Sequence, residues 1–89
     1  MTSKAKVWVV DDDHSIRWVL EKAIQAVGIT VQVFENGNSV LDELKTSRPD
    51  VLVSDIRMPG IDGLKLMADI KRMVPDLPVI IMTALSKSE

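Results

Sequence analysis

The chain has 89 residues, of which 46% are hydrophobic and 27% are charged, and its net charge is -2. This length accommodates one small domain, and the composition is that of a folded globular protein rather than a disordered one. Lys and Arg are scattered among the acids, which excludes the basic stripe needed for direct nucleic-acid binding. The absence of cysteine excludes disulfides and thiolate metal sites.

The N-terminal segment MTSKAKVWVV contains only a short apolar run. Such a run is too short for a secretory signal or a membrane span. We therefore expect no membrane association and a cytoplasmic location.

Short apolar strands and amphipathic helices alternate along the chain. The segment from Val7 to Val10 predicts a strand that is buried on both faces. Apolar residues at steps of three and four, from Ile16 to Val27, predict an amphipathic helix that ends at Gly28. The alternating segment from residue 30 to residue 34 predicts a second strand nearer the sheet edge.

The second half of the chain repeats this alternation. We expect a turn at Asn36 and Gly37, a helix capped by Asn38, and a third strand from Val51 to Ser54. Apolar residues between positions 64 and 74 predict a third helix, and the segment 78–83 predicts a fourth strand. The order β-α-β-α-β-α-β predicts an α/β fold, with a doubly wound parallel sheet covered by helices on both faces. Such domains generally carry a fifth βα unit, so we expect residues 1–89 to form one domain that is truncated at its C-terminus.

Acidic and hydroxyl side chains stand at the ends of three predicted strands. Strand 1 is followed by Asp11, Asp12 and Asp13, strand 3 by Asp55, and strand 4 ends at Thr83. In an open parallel sheet, functional groups collect at the carboxyl ends of the strands, so we expect these side chains to face one crevice. Clustered carboxylates repel one another unless a cation is bound. Hard oxygen ligands in a half-open, hydrated site suit Mg²⁺.

Magnesium beside a carboxylate and a hydroxyl indicates phosphoryl transfer, because the metal neutralises the moving group while the carboxylate attacks in line. Asp55 stands alone at its strand end and is the predicted nucleophile. Asp11 and Asp12 are predicted to hold the metal, directly or through water, with the backbone carbonyl of Arg57 as a further ligand. Thr83 is predicted to bind the phosphoryl oxygens through its hydroxyl.

Three segments resemble the receiver domains of two-component response regulators. VWVVDDDHSIRWVLEKA, PDVLVSDIRMPGIDGL and LPVIIMTA match the acidic pair, the phosphoacceptor loop and the hydroxyl-bearing strand of that family, in order. Within the family, DDDHSIRWVLEKA, FENGN and SDIRMPGIDGL resemble the NtrC class of sigma-54-dependent activators. The resemblance implies a flavodoxin-like sheet with strand order 2-1-3-4, which makes strands 1 and 3 neighbours.

The resemblance also implies an aspartyl-phosphate switch that controls transcription, here in nitrogen regulation. Asp55 would accept a phosphoryl group from a sensor histidine kinase, with Mg²⁺ bound by Asp11, Asp12 and Asp55. Such a domain is a signalling switch rather than an enzyme, with self-phosphorylation and self-dephosphorylation as its only reactions. The full-length protein would add ATPase and DNA-binding domains.

The chain also departs from the family pattern. Receiver domains carry a lysine after a fifth strand, and Lys87 stands where the next helix should begin, so it is not that lysine. Without a fifth strand, strand 4 would be an exposed edge that favours a dimer or an exchanged segment.

Two other functions remain open from the residues. DDDHS also fits D-x-D-x-S, which is similar to the opening of haloacid-dehalogenase-type phosphatases, with Asp11 as nucleophile and Asp13 as general acid. Those enzymes need a later lysine and acidic pair, for which 89 residues leave no place. Alternatively, the chain is an interaction module that is never phosphorylated.

The residues beside the acid cluster have simpler interpretations. Asp13 is expected to be a helix N-cap rather than a metal ligand, and His14 an exposed residue of the first helical turn. Trp8 is expected in the core. Trp18 lies off the apolar stripe of helix 1, so it either borders the core or belongs to a partner surface.

Overall fold

The computed structural model describes residues 5–58 and 60–82 of the chain. Strands and helices alternate within these ranges, as β1 (Lys6–Val10), α1 (His14–Ala26), β2 (Thr30–Phe34), α2 (Gly37–Glu43), β3 (Val51–Asp55), α3 (Gly63–Met73) and β4 (Val79–Met82). The strands form one parallel sheet in the order β2-β1-β3-β4. The predicted α/β architecture and strand order are therefore confirmed, and the described residues contain no fifth strand.

The main hydrophobic core lies between one face of the sheet and helices α2 and α3. Trp8 of the central strand β1 is fully buried there, as expected, and its ring lies 5.0 Å from that of Phe34 at an angle of 57°. The other buried members of this core come from β1, β3, the two helices and the loops, and they are Val10, Val40, Leu44, Leu52, Met58, Leu66, Ile70, Val74 and Leu77. This packing fixes the sheet whose carboxyl ends carry the acids.

The opposite face of the sheet is covered less completely. Helix α1 lies over β1 and β2, yet none of its residues is buried. Val19 and Val27, which the sequence placed on the apolar stripe of this helix, are 55% and 72% exposed, and Trp18 is 55% exposed. On the edge strand β4, Ile80 is 54% exposed. Helix α1 therefore contacts only part of its side of the sheet, and part of its apolar stripe is exposed.

Both ends of α1 have the predicted signals. Asp13 is its N-cap and accepts hydrogen bonds from the backbone amides of Ser15 and Ile16. At the other end, Gly28 has a φ of 86° and its amide donates to the carbonyl of Gln25. This left-handed position is one that glycine adopts without a steric cost. The N-cap role of Asp13 and the terminating role of Gly28 are confirmed.

The start of α2 differs from the prediction. Asn36, not Asn38, is the N-cap, and its side chain accepts a hydrogen bond of 2.9 Å from the amide of Ser39. A cap side chain reaches the amide two or three residues ahead, and Asn36 has that spacing to Ser39. The Asn36-Gly37 pair therefore begins the helix and does not form a separate turn.

None of the helices within residues 5–58 and 60–82 has the length and apolar character needed to cross a lipid bilayer.

Candidate functional site

Three carboxylates meet at the carboxyl end of the sheet. Val10 and Ser54 are paired in register on β1 and β3, so Asp11 and Asp55 are the next residues on adjacent strands. One carboxylate oxygen each from Asp11, Asp12 and Asp55 lies within 4.8 Å of the other two. The parallel register thus brings together acids that are more than forty positions apart in the sequence.

The three acids differ in their exposure. Asp11 is 1% exposed and Asp55 is 2% exposed, whereas Asp12 is an exposed residue. Two negative charges at the outer limit of this spacing, 4.8 Å, repel each other by about 3.5 kcal/mol at an effective dielectric constant of about 20. A divalent cation between them converts this repulsion into attraction.

The donor set fits Mg²⁺. This ion prefers hard oxygen ligands and retains several of its waters. Two buried carboxylates supply fixed oxygens, and the exposed Asp12 leaves a side of the cluster open for water or a ligand.

Hydrogen bonds fix the backbone around Asp11. Its amide donates to the carbonyl of Phe34 over 3.1 Å, and its carboxylate accepts from the amide of Asp13 over 2.8 Å. Its carbonyl accepts a hydrogen bond of 2.7 Å from the guanidinium of Arg17. This role of Arg17 was not predicted from the sequence, although an arginine one turn into the helix after the acids is a signal for such a contact.

The backbone around Asp55 is equally constrained. The amide of Ile56 donates to the carbonyl of Met82 over 3.2 Å, and the amide of Gly63 donates to the carbonyl of Ile56 over 3.0 Å. A side chain at Gly63 would overlap the carbonyl oxygen of Asp55. Glycine therefore allows the first residue of α3 to contact the end of β3, a requirement that was not predicted from the sequence.

Two clefts border Asp12. One has a volume of about 420 Å³ and is lined by Asp12, Ile56, Arg57, Met58 and Asp62. The other has a volume of about 400 Å³ and is lined by Asp12, Glu35, Asn36, Asn38 and Gly60. A small anionic group entering the first cleft would meet the exposed acid of the cluster and the loop that follows β3.

The other residues considered in the sequence lie partly within and partly outside the described ranges. Arg57 is exposed beside the first cleft, and a metal-binding role of its carbonyl remains a prediction. Asp13 is occupied by its cap interactions, and His14 is exposed as expected. Thr83 and Lys87 lie outside the described residues.

A parallel sheet of order 2-1-3-4 with an acid cluster at its carboxyl end defines a receiver-type signalling domain. The family model described as the response regulator receiver domain matches residues 7–89. The chain belongs to this family.

Among individual relatives, the chain is similar to nitrogen regulators. It is 65% identical over 78 residues to the DNA-binding transcriptional regulator NtrC of Salmonella typhimurium, which covers 88% of this chain and 17% of the relative. It is 64% identical over 78 residues to NtrC of Escherichia coli strain K12, with the same coverage of 88% and 17%. The chain therefore spans about 17% of the length of these curated relatives.

Solved structures agree with this assignment. The beryllofluoride-activated NtrC receiver domain matches with a TM-score of 0.82 and 59% identity, over 99% of this chain and 69% of that chain. The response regulator TrrA of Thermotoga maritima, solved in complex with Mg²⁺ and BeF, matches with a TM-score of 0.86 and 34% identity, over 92% of this chain and 71% of that chain. The chain is thus a response regulator receiver domain that is similar to the receiver domains of NtrC proteins.

Proposed function

We propose that this receiver domain is an aspartyl-phosphate switch in which Asp55 takes a phosphoryl group from a phosphohistidine of a sensor histidine kinase. The observation that carries the proposal is the convergence of Asp11, Asp12 and Asp55 within 4.8 Å. Asp55 is held at the end of β3 between backbone contacts to β4 and α3, so its carboxylate has a fixed position beside the other acids.

In the proposed transfer, a carboxylate oxygen of Asp55 attacks the phosphorus in line. The new O–P bond forms as the P–N bond to the kinase histidine breaks, and the electron pair remains on the imidazole nitrogen. Asp11, Asp12, Asp55 and the carbonyl of Arg57 would hold Mg²⁺, whose charge neutralises the phosphoryl oxygens. We assign to the Thr83 hydroxyl a hydrogen bond donated to a phosphoryl oxygen.

We further propose that phosphorylation changes the conformation of the domain and so controls transcription of nitrogen-regulated genes. The support is the similarity to NtrC proteins, which are DNA-binding transcriptional regulators. Because the chain spans 17% of those relatives, its ATPase and DNA-binding partners would be domains of the full-length protein. Residues 1–89 act as one receiver domain that does not contact nucleic acid itself, and the protein operates in the cytoplasm. Its own chemistry is limited to self-phosphorylation and self-dephosphorylation.

The proposal is tested by incubating the protein with acetyl phosphate, with and without Mg²⁺, and measuring its intact mass. We expect a gain of one phosphoryl group that requires Mg²⁺ and is absent in Asp55→Asn. Asp76→Asn removes a carboxylate from an exposed turn outside the acid cluster and serves as the matched control. An unchanged mass under all conditions would support an interaction module that is never phosphorylated.

The phosphatase alternative is disfavoured by the local geometry. It assigns general-acid chemistry to Asp13, yet this carboxylate accepts hydrogen bonds from the amides of Ser15 and Ile16 at the start of α1. One oxygen of this carboxylate is therefore occupied by two backbone donors, as expected for a helix cap rather than for a group that meets a leaving group. A phosphoryl group found on Asp11 rather than Asp55 would restore this alternative.

We also propose that the edge strand β4 allows self-association of this chain. Within the described residues β4 has one strand neighbour, β3, and Ile80 on it is 54% exposed. Unpaired edges with apolar side chains favour pairing with another chain. Sedimentation at increasing protein concentration tests this, and a monomer at all concentrations would contradict it.

A further inference from the structure

We infer that Arg17 is a positioning residue for the divalent cation, because it holds the peptide group that joins Asp11 to Asp12. This inference rests on the proposed metal site and extends it to a residue outside the acid cluster. It concerns the geometry with which two ligands are presented, not a contact between Arg17 and the cation.

The contact is made to the backbone. The Nη1 atom of Arg17 donates a hydrogen bond of 2.7 Å to the carbonyl oxygen of Asp11. This carbonyl belongs to the peptide bond between Asp11 and Asp12, which is planar. A donor that fixes the carbonyl therefore fixes the amide of Asp12 as well, and with it the direction in which the Asp12 side chain leaves the backbone.

The hydrogen bond from Arg17 is one of several that connect the acidic loop to the first turns of α1. The Asp11 carboxylate accepts from the amide of Asp13, and the Asp13 carboxylate accepts from the amides of Ser15 and Ile16 in the first turn of α1. Arg17, one residue further along that turn, reaches back to the Asp11 carbonyl. Helix α1 thus holds the acidic loop at both of its ends, while the exposed Asp12 lies between them.

An electrostatic role and a positioning role of Arg17 predict opposite changes in cation affinity, and this makes the inference testable. Its positive charge near the acids repels a divalent cation, so a purely electrostatic role predicts tighter Mg²⁺ binding when the charge is removed. A positioning role predicts weaker binding, because residues that orient metal ligands typically contribute about 10- to 100-fold in metal affinity. The sign of the change separates the two roles.

The experiment measures Mg²⁺ affinity by isothermal titration calorimetry, without a phosphoryl donor, for the wild type, Arg17→Met, Arg17→Lys and Arg48→Met. Arg17→Met retains the apolar stem and removes charge and donors together. Arg17→Lys retains the positive charge and a donor group on a shorter side chain. Arg48→Met removes the same charge from an exposed loop and is the matched control.

We expect Arg17→Met to weaken Mg²⁺ binding by about 10-fold or more. Arg17→Lys should fall between Arg17→Met and the wild type, and Arg48→Met should bind as the wild type does. Amide hydrogen exchange gives a readout without metal: the amide of Asp13, which donates to the Asp11 carboxylate, should exchange faster in Arg17→Met at unchanged global stability. If Arg17→Met does not fold, Arg17→Lys carries the test by the same two measurements.

Unchanged or tighter Mg²⁺ binding by Arg17→Met, or by Arg17→Lys where only that variant folds, would overturn the inference and leave the proposed function intact. A wild-type protein without measurable Mg²⁺ affinity would overturn the proposed metal site and this inference together. The two failures are therefore distinguishable.

Discussion

A methyl group added at Gly63 would strike the backbone at the end of β3. The new Cβ would overlap the carbonyl oxygen of Asp55 and lie 2.8 Å from the Cα of Ile56. Carbon atoms pack at about 3.5 Å or more, so α3 and the end of β3 would have to separate by roughly 0.7 Å. Both neighbours are backbone atoms, which cannot rotate away as a side chain does.

Overpacking usually costs about 1–3 kcal/mol, and the rigid backbone neighbours of Gly63 place this site at the upper end of that range. The higher helix propensity of alanine offsets about 1 kcal/mol at most, so we expect Gly63→Ala to lower the free energy of unfolding by about 2 kcal/mol. In a domain of this size each kcal/mol corresponds to a fall of about 4–8 °C in Tm. Because the displaced atoms belong to Asp55 and its neighbour, labelling by acetyl phosphate should slow as well.

Gly37→Ala is the matched control. Gly37 is also the first residue of a helix, and its added Cβ would meet Ile61 at 3.3 Å and the Leu66 side chain at 3.4 Å. These are side-chain atoms that can shift by a few tenths of an ångström, so we expect a change of at most about 1 kcal/mol. Urea denaturation followed by tryptophan fluorescence, which reports the exposure of the buried Trp8 on unfolding, measures both variants. Equal stability of Gly63→Ala and the wild type would refute the close contact between α3 and Asp55.

Three further substitutions test the supporting structure. Asp13→Ala removes the cap of α1 and should lower the free energy of unfolding by about 1 kcal/mol in urea denaturation. Asp13→Asn retains a cap side chain and should keep most of the wild-type stability. Gly28→Ala has open space for its methyl group, so thermal melting should show only the cost of a positive φ, a loss of about 1–2 kcal/mol of stability. Unchanged stability would contradict the left-handed conformation of residue 28. Asp69→Ala removes the carboxylate that binds Lys65 and Arg72. Because both cations are exposed, the free energy of unfolding should fall by about 1 kcal/mol, and the fall should be smaller in high salt. A fall that does not depend on salt would argue against an ion-pair origin.

The sequence was sufficient to predict the helices and strands and to place the acids at one end of the sheet. Apolar runs and helical periods are local signals, and the alternation of strands and helices requires parallel strands. Once the strands are parallel, residues that follow them lie at one end of the sheet. The pairing of Asp11 with Asp55 also required strands 1 and 3 to be neighbours. The order of the strands, in contrast, came from the resemblance to receiver domains, since periodicity does not specify which strands are adjacent.

The errors and omissions concern contacts between elements. The exposure of Val19 and Val27 depends on how much of the sheet α1 covers, and helical periodicity carries no such information. The need for glycine at position 63 arises from the approach of α3 to β3, which has no local signal. The cap of α2 was misplaced by two residues because Asn36 and Asn38 are equally good cap residues and only the backbone distinguishes them.

The most direct test of the switch is to locate the phosphoryl group on the chain. After labelling with acetyl phosphate and Mg²⁺, borohydride reduces an acyl phosphate to an alcohol, so a phosphorylated aspartate becomes homoserine and is identified by peptide mass spectrometry. We expect homoserine at position 55 alone, and none when Mg²⁺ is removed. Homoserine at position 11, or at position 55 without Mg²⁺, would contradict a phosphoacceptor that depends on a cation shared by Asp11, Asp12 and Asp55.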